Sequence, residues 1–114
     1  MEECYVRYAM GVIGGKWKLL IVWTISQNGV IRFNDLQRKV DGISSLMLSK
    51  NLKELEQELL IIRHQYNEIP PRVEYELSEL GQKLIIALNF LNEWGCEVYT
   101  YKNRLSIKKS TTSI

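Results

Sequence analysis

The order of apolar and polar positions predicts a mainly helical chain with one β-hairpin. Apolar residues recur at helical spacing from about residue 4 to residue 13, and Gly14-Gly15 ends this first helix. The next stretch, Lys16 to about Ser26, is apolar almost all round, as in helices that are buried on several sides. Asn28-Gly29 is a turn signal that ends the second helix, and residues 30–32 predict a very short strand.

Two further amphipathic helices, separated by a short turn, are predicted over about residues 33–59. Asn34 is expected to cap the first, which ends at Asp41-Gly42, and Ser44 or Ser45 to cap the second. In the second helix a stripe of leucines is expected to face the core: Leu48, Leu52, Leu55 and Leu59. Two helices joined by a short glycine-containing turn are the layout of a helix-turn-helix unit.

A change of period predicts a hairpin over about residues 61–77. Apolar and polar side chains alternate from residue 72 to residue 77, as in a half-buried strand, and Glu68 to Pro71 form the tip. Two consecutive prolines end strand pairing and stiffen this tip. A final helix, capped by Ser78, carries more apolar surface than one small core uses, so we expect it to contact a partner subunit.

Together these elements predict an α+β, predominantly α fold: a winged helix-turn-helix with a two-stranded wing and a long C-terminal dimerisation helix. The domain is predicted over residues 1–105, with the helix-turn-helix at about 33–59 and the wing at about 61–77. The dimerisation helices are predicted at about 4–13 and 78–104. Residues 106–114 are expected to form a disordered tail.

Composition fits one small domain and excludes several other classes of protein. The 114 residues are 46% apolar, which is enough for one modest core, and the 25% of charged residues is ordinary for a globular protein. The net charge of +2 is too small to indicate a nucleic-acid partner by itself. The acidic start lacks the features of a signal peptide, and no apolar run could span a bilayer, so a cytoplasmic protein without a membrane partner is expected.

No pattern of catalytic residues occurs, so the chain is expected to be neither an enzyme nor a binder of a cofactor or metal. His64 is the only histidine and is expected in a wing strand, and there is no glycine-rich phosphate loop. Three glutamates diverge around their helix and are expected to be solvated: Glu54, Glu56 and Glu58. Three tryptophans fall on apolar stripes and are expected in the core or the dimer interface: Trp17, Trp23 and Trp94.

The polar face of the second helix of the helix-turn-helix is the candidate DNA-reading surface. Short hydroxyls and long amines suit base edges and phosphates in a major groove, and five such residues lie there: Ser44, Ser45, Ser49, Lys50 and Lys53. Leu46 also lies off the leucine stripe. It could contact a thymine methyl group or be covered by the preceding turn.

Several other cations are candidates for contacts with the DNA backbone or minor groove. Arg72 follows the prolines at the wing tip, where a guanidinium could enter a narrow minor groove. Lys16 and Lys18 oppose the dipole at the start of a helix, and either a bound phosphate or solvation over Trp17 would account for them. Two arginines are similar candidates for backbone contact: Arg32 and Arg38.

Four segments in this order resemble one family. They are IGGKWKLLIVW, RFNDLQRKVDGIS, MLSKNLKELE and PPRVEYELSELG, and together they resemble the HxlR-type regulators of the MarR-like winged-helix superfamily. The resemblance implies a homodimer that binds a palindromic operator in double-stranded DNA and responds to a chemical stress. Leu46 departs from the family pattern, which usually has a polar or basic residue there.

The resemblance also gives the two cysteines a candidate role in redox sensing. Cys4 stands just before the first helix, where related regulators carry a thiol that senses electrophiles or oxidants, and the positive end of a helix favours the reactive thiolate. Relatives commonly follow this cysteine with proline, whereas this chain has Tyr5. Cys96 lies on the long helix and could pair with Cys4 of a second subunit or be a small interface residue.

Two other interpretations of function remain open at this point. One is a regulator whose effector is a reversible small molecule, held between the DNA-binding part and the dimerisation helices by Tyr8, Trp17 and Trp94. The other is a winged-helix module that binds protein instead of DNA. A DNA affinity that falls steeply as salt rises would favour the DNA-binding interpretation. Such a fall requires cations that contact phosphates, and the candidates are Lys16, Lys50, Lys53 and Arg72.

Overall fold

The computed structural model describes residues 4–112, with side chains described for residues 4–107. Residues 1–3 and 113–114, which include the start of the predicted domain and the end of the predicted tail, lie outside the described part. The elements are α1 Tyr5–Ile13, α2 Lys18–Asn28, β1 Val30–Arg32, α3 Phe33–Lys39, α4 Ser45–Gln57, β2 Ile61–Tyr66, β3 Arg72–Leu77 and α5 Glu79–Thr112. This order confirms the predicted winged helix-turn-helix with a long C-terminal helix.

The wing is part of a three-stranded antiparallel sheet with strand order β1-β3-β2. Tyr75 lies at its centre, paired with Ile31 of β1 on one side and Arg63 of β2 on the other. Tyr75 and Leu77 are buried, as the alternating pattern predicts. Strand β1 pairs with β3 of the wing and continues directly into α3, so the sheet connects the wing to the helix-turn-helix.

Helix α2 lies at the centre of the core. Ile21, Val22 and Ile25 are fully buried, and α2 packs against α3, α4, α5 and the sheet. Gly29 ends the helix with φ of +73°, a left-handed conformation that suits glycine, and its N–H donates to the Ile25 carbonyl. The sequence therefore correctly located both the buried helix and its stop.

The end of α4 differs from the prediction that Leu59 faces the core. The helix ends at Gln57, and Leu59 has a φ of +66° and is 67% exposed. Leu60 is buried in its place, and its N–H donates to the Leu55 carbonyl. The left-handed turn at Leu59 breaks the helical spacing that placed it on the leucine stripe, so that prediction is wrong.

The start of α3 also differs from the prediction of an Asn34 cap. The helix begins at Phe33, and Arg32, with extended backbone, occupies the position before it without a side-chain cap. Arg32 is paired with Glu74 in the sheet, so the chain passes directly from β1 into α3. Asn34 therefore lies inside the first turn.

Helix α5 is longer than the sequence suggested. It spans 34 residues, or about 50 Å at the rise of an α-helix, and continues through Thr112, where a disordered tail was expected from residue 106. No glycine or proline follows Gly95, so nothing in the sequence interrupts the helix. No helix in the described part of the chain is both long and apolar enough to cross a membrane.

Candidate nucleic-acid interface

The turn between α3 and α4 is packed into the core. Val40 and Ile43 are buried, and Gly42 between them has φ of +84°, which favours glycine. Leu36 on α3 and Leu48 on α4 are fully buried in the same cluster. The angle between α3 and α4 is thus fixed by apolar packing on both sides of the turn.

The first turn of α4 is capped by Ser44, the first of the two predicted alternatives. Its Oγ accepts a hydrogen bond of 3.1 Å from the backbone N–H of Met47. A cap of this kind contributes about 1 kcal/mol to stability. Ser44 therefore has a structural role at the start of α4, and Ser45 is left with its side chain exposed.

One face of α4 is buried and the opposite face is open to solvent. Leu48, Leu52 and Leu55 form the buried face. The exposed face carries the residues predicted to read DNA: Ser45, Leu46, Ser49, Lys50 and Lys53. Leu46 is 78% exposed, which contradicts the alternative that the preceding turn covers it. Met47, 38% exposed on the first turn, was not among the expected residues, because its spacing resembles that of a core position.

An ion pair joins α4 to the start of α2. The Nζ of Lys18 lies 2.9 Å from Oε2 of Glu54, and the Lys18 side chain is only 14% exposed. The hydrogen bond from Lys18 lowers the pKa of the Glu54 carboxyl, and the charges of Lys18 and Lys50 add to this effect. Two expectations are thereby corrected. Glu54 is paired rather than only solvated, and the positive charge of Lys18 is compensated by this carboxylate within the protein.

Arg72 is held against the side of the wing instead of standing free at its tip. Its guanidinium lies 3.3 Å from Glu68 and 3.1 Å from Glu74 and stacks 4.1 Å above the ring centre of Tyr66. The Nε is buried without an aligned hydrogen bond, so its pairing with Glu74 is electrostatic. Because two carboxylates flank Arg72, a DNA contact would have to displace them. At the tip itself, the side chain of Ile69 is fully exposed.

A crease runs between the exposed face of α4 and strand β2. It has a volume of about 360 Å³ and is lined by Ser49, Leu52, Lys53, Glu56, Arg63 and Tyr75. Arg63 was not among the residues expected to contact DNA. It pairs with Tyr75 in the sheet, and its position beside α4 follows from that register and not from a local motif.

The comparisons with known proteins agree with this geometry. Residues 12–103, from the end of α1 through most of α5, match the HxlR-like helix-turn-helix family. The chain belongs to this family. The predicted resemblance is therefore confirmed from α2 through β3 and over most of α5.

Proteins similar to this HxlR-like chain are transcriptional regulators. Protein MalR of Fusobacterium mortiferum, named as regulatory, is 43% identical over 95 residues, covering 83% of this chain and 90% of MalR. A MarR-family regulator of Porphyromonas gingivalis W83 has a TM-score of 0.79 and 44% identity, covering 85% of this chain and 94% of that one. The oxidised form of the redox regulator HypR has a TM-score of 0.76 and 37% identity, and the match covers 82% of this chain and 96% of HypR.

These likenesses and the geometry give the coarse function of the HxlR-like chain. It is a transcriptional regulator with a helix-turn-helix of the DNA-binding type. The individual residues that would contact DNA remain predictions.

The other candidate cations of the HxlR-like chain differ in how free they are. Lys16 is exposed, and its Nζ lies over the ring of Trp17, 4.6 Å from the ring centre, without a carboxylate partner among the described side chains. Arg32 is 60% exposed and only loosely paired with Glu74, at 4.0 Å. Arg38 forms a 2.7 Å ion pair with Asp35 one helical turn away. Lys16 and Arg32 are thus better placed than Arg38 to reach a phosphate.

Both cysteines of the HxlR-like chain are exposed, as thiol sensing requires. Cys4 is the residue before α1, and its side chain makes no capping hydrogen bond. Cys96 lies on α5 in an apolar groove of about 410 Å³ between α2 and α5, which also contains Leu20, Trp23 and Leu91. The three aromatic residues predicted to line a ligand site do not line this groove: Tyr8, Trp17 and Trp94.

Proposed function

We propose that this HxlR-like regulator binds a palindromic operator as a homodimer, without an enzymatic step, with α4 of each subunit in the major groove. The observation that carries the proposal is the exposed face of α4. Ser45, Ser49, Lys50 and Lys53 lie on that face, and within residues 4–107 neither lysine has an ion-pair partner. A helix with one face fixed in the core and free hydroxyls and amines on the other is suited to contact bases and phosphates.

The homodimer is supported by apolar side chains that one chain leaves open to solvent. On α1 these are Tyr5, Val6, Tyr8 and Met10, each more than 60% exposed. On α5 they include Ile86, Phe90, Trp94, Tyr99 and Tyr101, also more than 60% exposed. Exposed apolar area of this extent is characteristic of an interaction surface. A second copy related by two-fold symmetry would cover both helices and place two α4 helices on two half-sites.

Selection from a pool of random-sequence duplexes, using the full chain, tests the proposal. Recovery of a two-fold related motif, bound more tightly than a scrambled duplex of the same length, is the expected result. Loss of affinity should be steep as salt rises, because phosphate contacts release counterions. No enriched motif, or weak binding with little salt dependence, would favour a protein-binding module instead.

The signal that controls DNA binding is proposed to be an electrophile or an oxidant that reacts with Cys4. The exposed thiol next to the N-terminus of α1 supports this, and HypR, with 37% identity, is named a redox regulator. An electrophile such as a quinone would add to the Cys4 thiolate and retain all of its atoms in the adduct. An oxidant such as diamide would take two electrons and two protons from Cys4 and the partner's Cys96, forming a disulfide if their Cα atoms come within about 7 Å.

A reversible ligand in the groove between α2 and α5 is the second candidate for the signal. The groove is mostly apolar, and its volume of about 410 Å³ is in the range of small-molecule sites. A chain with both cysteines changed to serine separates the two candidates. If its DNA binding still responds to the inducing compound, the signal is a reversible ligand and not a thiol reaction.

A further inference from the structure

The crease between α4 and β2 lies where a DNA backbone would cross the protein. If α4 occupies the major groove and the wing lies over the adjacent minor groove, the phosphodiester strand that separates the two grooves must pass between them. The described surface between these two elements is the crease, with Ser49 and Lys53 on its helical wall and Arg63 on its strand wall. This step rests on the proposed function, since it takes α4 as the reading helix.

The two cations of the crease, Lys53 and Arg63, differ from three other cations of the domain in that they are not held in ion pairs. Lys18, Arg38 and Arg72 each lie within 4 Å of a carboxylate. By contrast, in the described side chains Arg63 bonds only to the amide oxygen of Gln65, at 3.0 Å, and Lys53 has no ion-pair partner. Two cations without an ion-pair partner thus share one concave site, which also contains the carboxylate of Glu56.

The backbone of the sheet fixes the Arg63 side. Arg63 and Tyr75 are directly opposite in the antiparallel register, so their side chains lie on the same face of the sheet. Tyr75, on the central strand, is buried. Arg63 is on the edge strand β2, so its side chain lies beside Tyr75 at the rim of the sheet, next to α4. The Arg63 guanidinium is therefore presented from a paired strand and not from a mobile loop.

We propose that Arg63, together with Lys53, binds one phosphate of the DNA strand that separates the major groove from the minor groove. Glu56 also lines the crease and repels a phosphate, so the phosphate sits on the Ser49 side. Arg63 thereby fixes how deeply α4 enters the major groove and carries no base specificity of its own.

Charge removal at Arg63 gives the first test. Arg63→Gln should weaken binding to operator and scrambled duplexes by the same factor. It should also make the slope of log K against log salt less steep, by up to about 0.9, because Lys53 still pairs with the same phosphate. Between about 50 mM and 200 mM salt, wild-type affinity should therefore fall up to about 3.5-fold more than that of the variant. Arg63→Lys should restore part of the slope. Lys83→Gln, an exposed charge removal on α5 before its most exposed apolar residues, which begin at Ile86, is the matched control and should leave the slope nearly unchanged.

A chemically altered operator locates the contact. A neutral methylphosphonate replaces one phosphate at a time along the strand between the two grooves of each half-site. One position should weaken wild-type binding and weaken Arg63→Gln by a smaller factor, because only Lys53 still pairs with that phosphate in the variant, and thermal unfolding of the variant should be unchanged. An unchanged salt slope, a loss confined to the operator duplex, or methylphosphonate effects that add to those of Arg63→Gln would each overturn the proposal. If the wild type binds no duplex at all, the proposed function fails instead.

Discussion

The Nζ of Lys18 and the Oε2 of Glu54 lie 2.9 Å apart and connect the start of the buried helix α2 to the last turn of α4. Apolar packing holds α4 through its leucines, and this ion pair adds a polar contact that also limits rotation of the helix about its axis. The orientation of the exposed face of α4 thus depends in part on a charged pair outside the candidate reading surface.

Removal of the Glu54 charge should change how stability depends on pH. Because Lys18 lowers the pKa of the Glu54 carboxyl in the folded state, the pair stabilises the fold at neutral pH. That stabilisation is lost as pH falls through the lowered pKa. Urea unfolding from about pH 7 to about pH 3 should show Glu54→Gln less stable than wild type at neutral pH, with the difference shrinking in acid. Glu58→Gln, an exposed change on the same segment, is the control, and a difference that does not depend on pH would contradict this role.

Substitutions on the exposed face of α4 should separate affinity from specificity. Lys53→Ala should weaken binding to every duplex and flatten the salt dependence, because it removes a cation that binds phosphate. Ser45→Ala and Ser49→Ala should instead reduce discrimination between operator and scrambled duplex by about 1 to 3 kcal/mol for each hydrogen bond to a base that is removed. Fluorescence anisotropy at several salt concentrations measures both effects, with Lys83→Ala on α5 as the control. If all three α4 variants bind with the affinity and the discrimination of the wild type, α4 is ruled out as the reading helix.

A charge on the exposed apolar face of α5 should separate the subunits. Phe90 and Trp94 lie one turn apart on α5 and are 68% and 62% exposed. Phe90→Asp should shift sedimentation velocity at micromolar concentration from dimer to monomer, because a carboxylate is costly to bury in an apolar interface. Ile69→Asp at the wing tip adds the same charge at a fully exposed apolar position and should leave the dimer intact. Wild-type protein that sediments only as a monomer would refute the dimer.

Oxidation should act on DNA binding through Cys4. Titration of diamide or a quinone should change the operator affinity of wild type and leave that of Cys4→Ser unchanged, because the serine hydroxyl does not form the reactive anion at neutral pH. Cys96→Ser distinguishes the two routes. It should respond like wild type if Cys4 forms an adduct, and lose the diamide response if a disulfide is required. A Cys4→Ser variant that responds as the wild type does would remove Cys4 as the sensor.

The element order could be predicted from sequence because each element has its own local signal. Gly29 stops α2, Ser44 caps α4, and alternating residues identify β3, and all three are found in the structure. Ser78 also caps α5 as predicted, since its Oγ accepts from the Gly81 N–H at 3.1 Å. These features depend on residues within a few positions of each other, which a sequence pattern reports directly.

The predictions that failed depended on contacts between distant segments. Leu59 fitted the leucine stripe, but Ser78, 19 residues away, donates a hydrogen bond to its carbonyl in a left-handed turn. Arg63 was missed for the same reason, since only the strand register and the packing of β2 on α4 place it in the crease. Arg72 differs, because its partners are close in sequence: the closed hairpin brings Tyr66 opposite to it and Glu74 lies beside it, and its contact with DNA stays a prediction.

Hydroxyl-radical footprinting of the full chain on a selected operator tests the central claim most directly, because it reports where each subunit contacts the DNA backbone. A homodimer with α4 in the major groove predicts two protected half-sites related by two-fold symmetry, with centres about 34 Å or a multiple of that apart. Protection should weaken at both half-sites together in Lys53→Ala. Protection of one isolated half-site by one subunit, or protection without two-fold symmetry, would contradict the account.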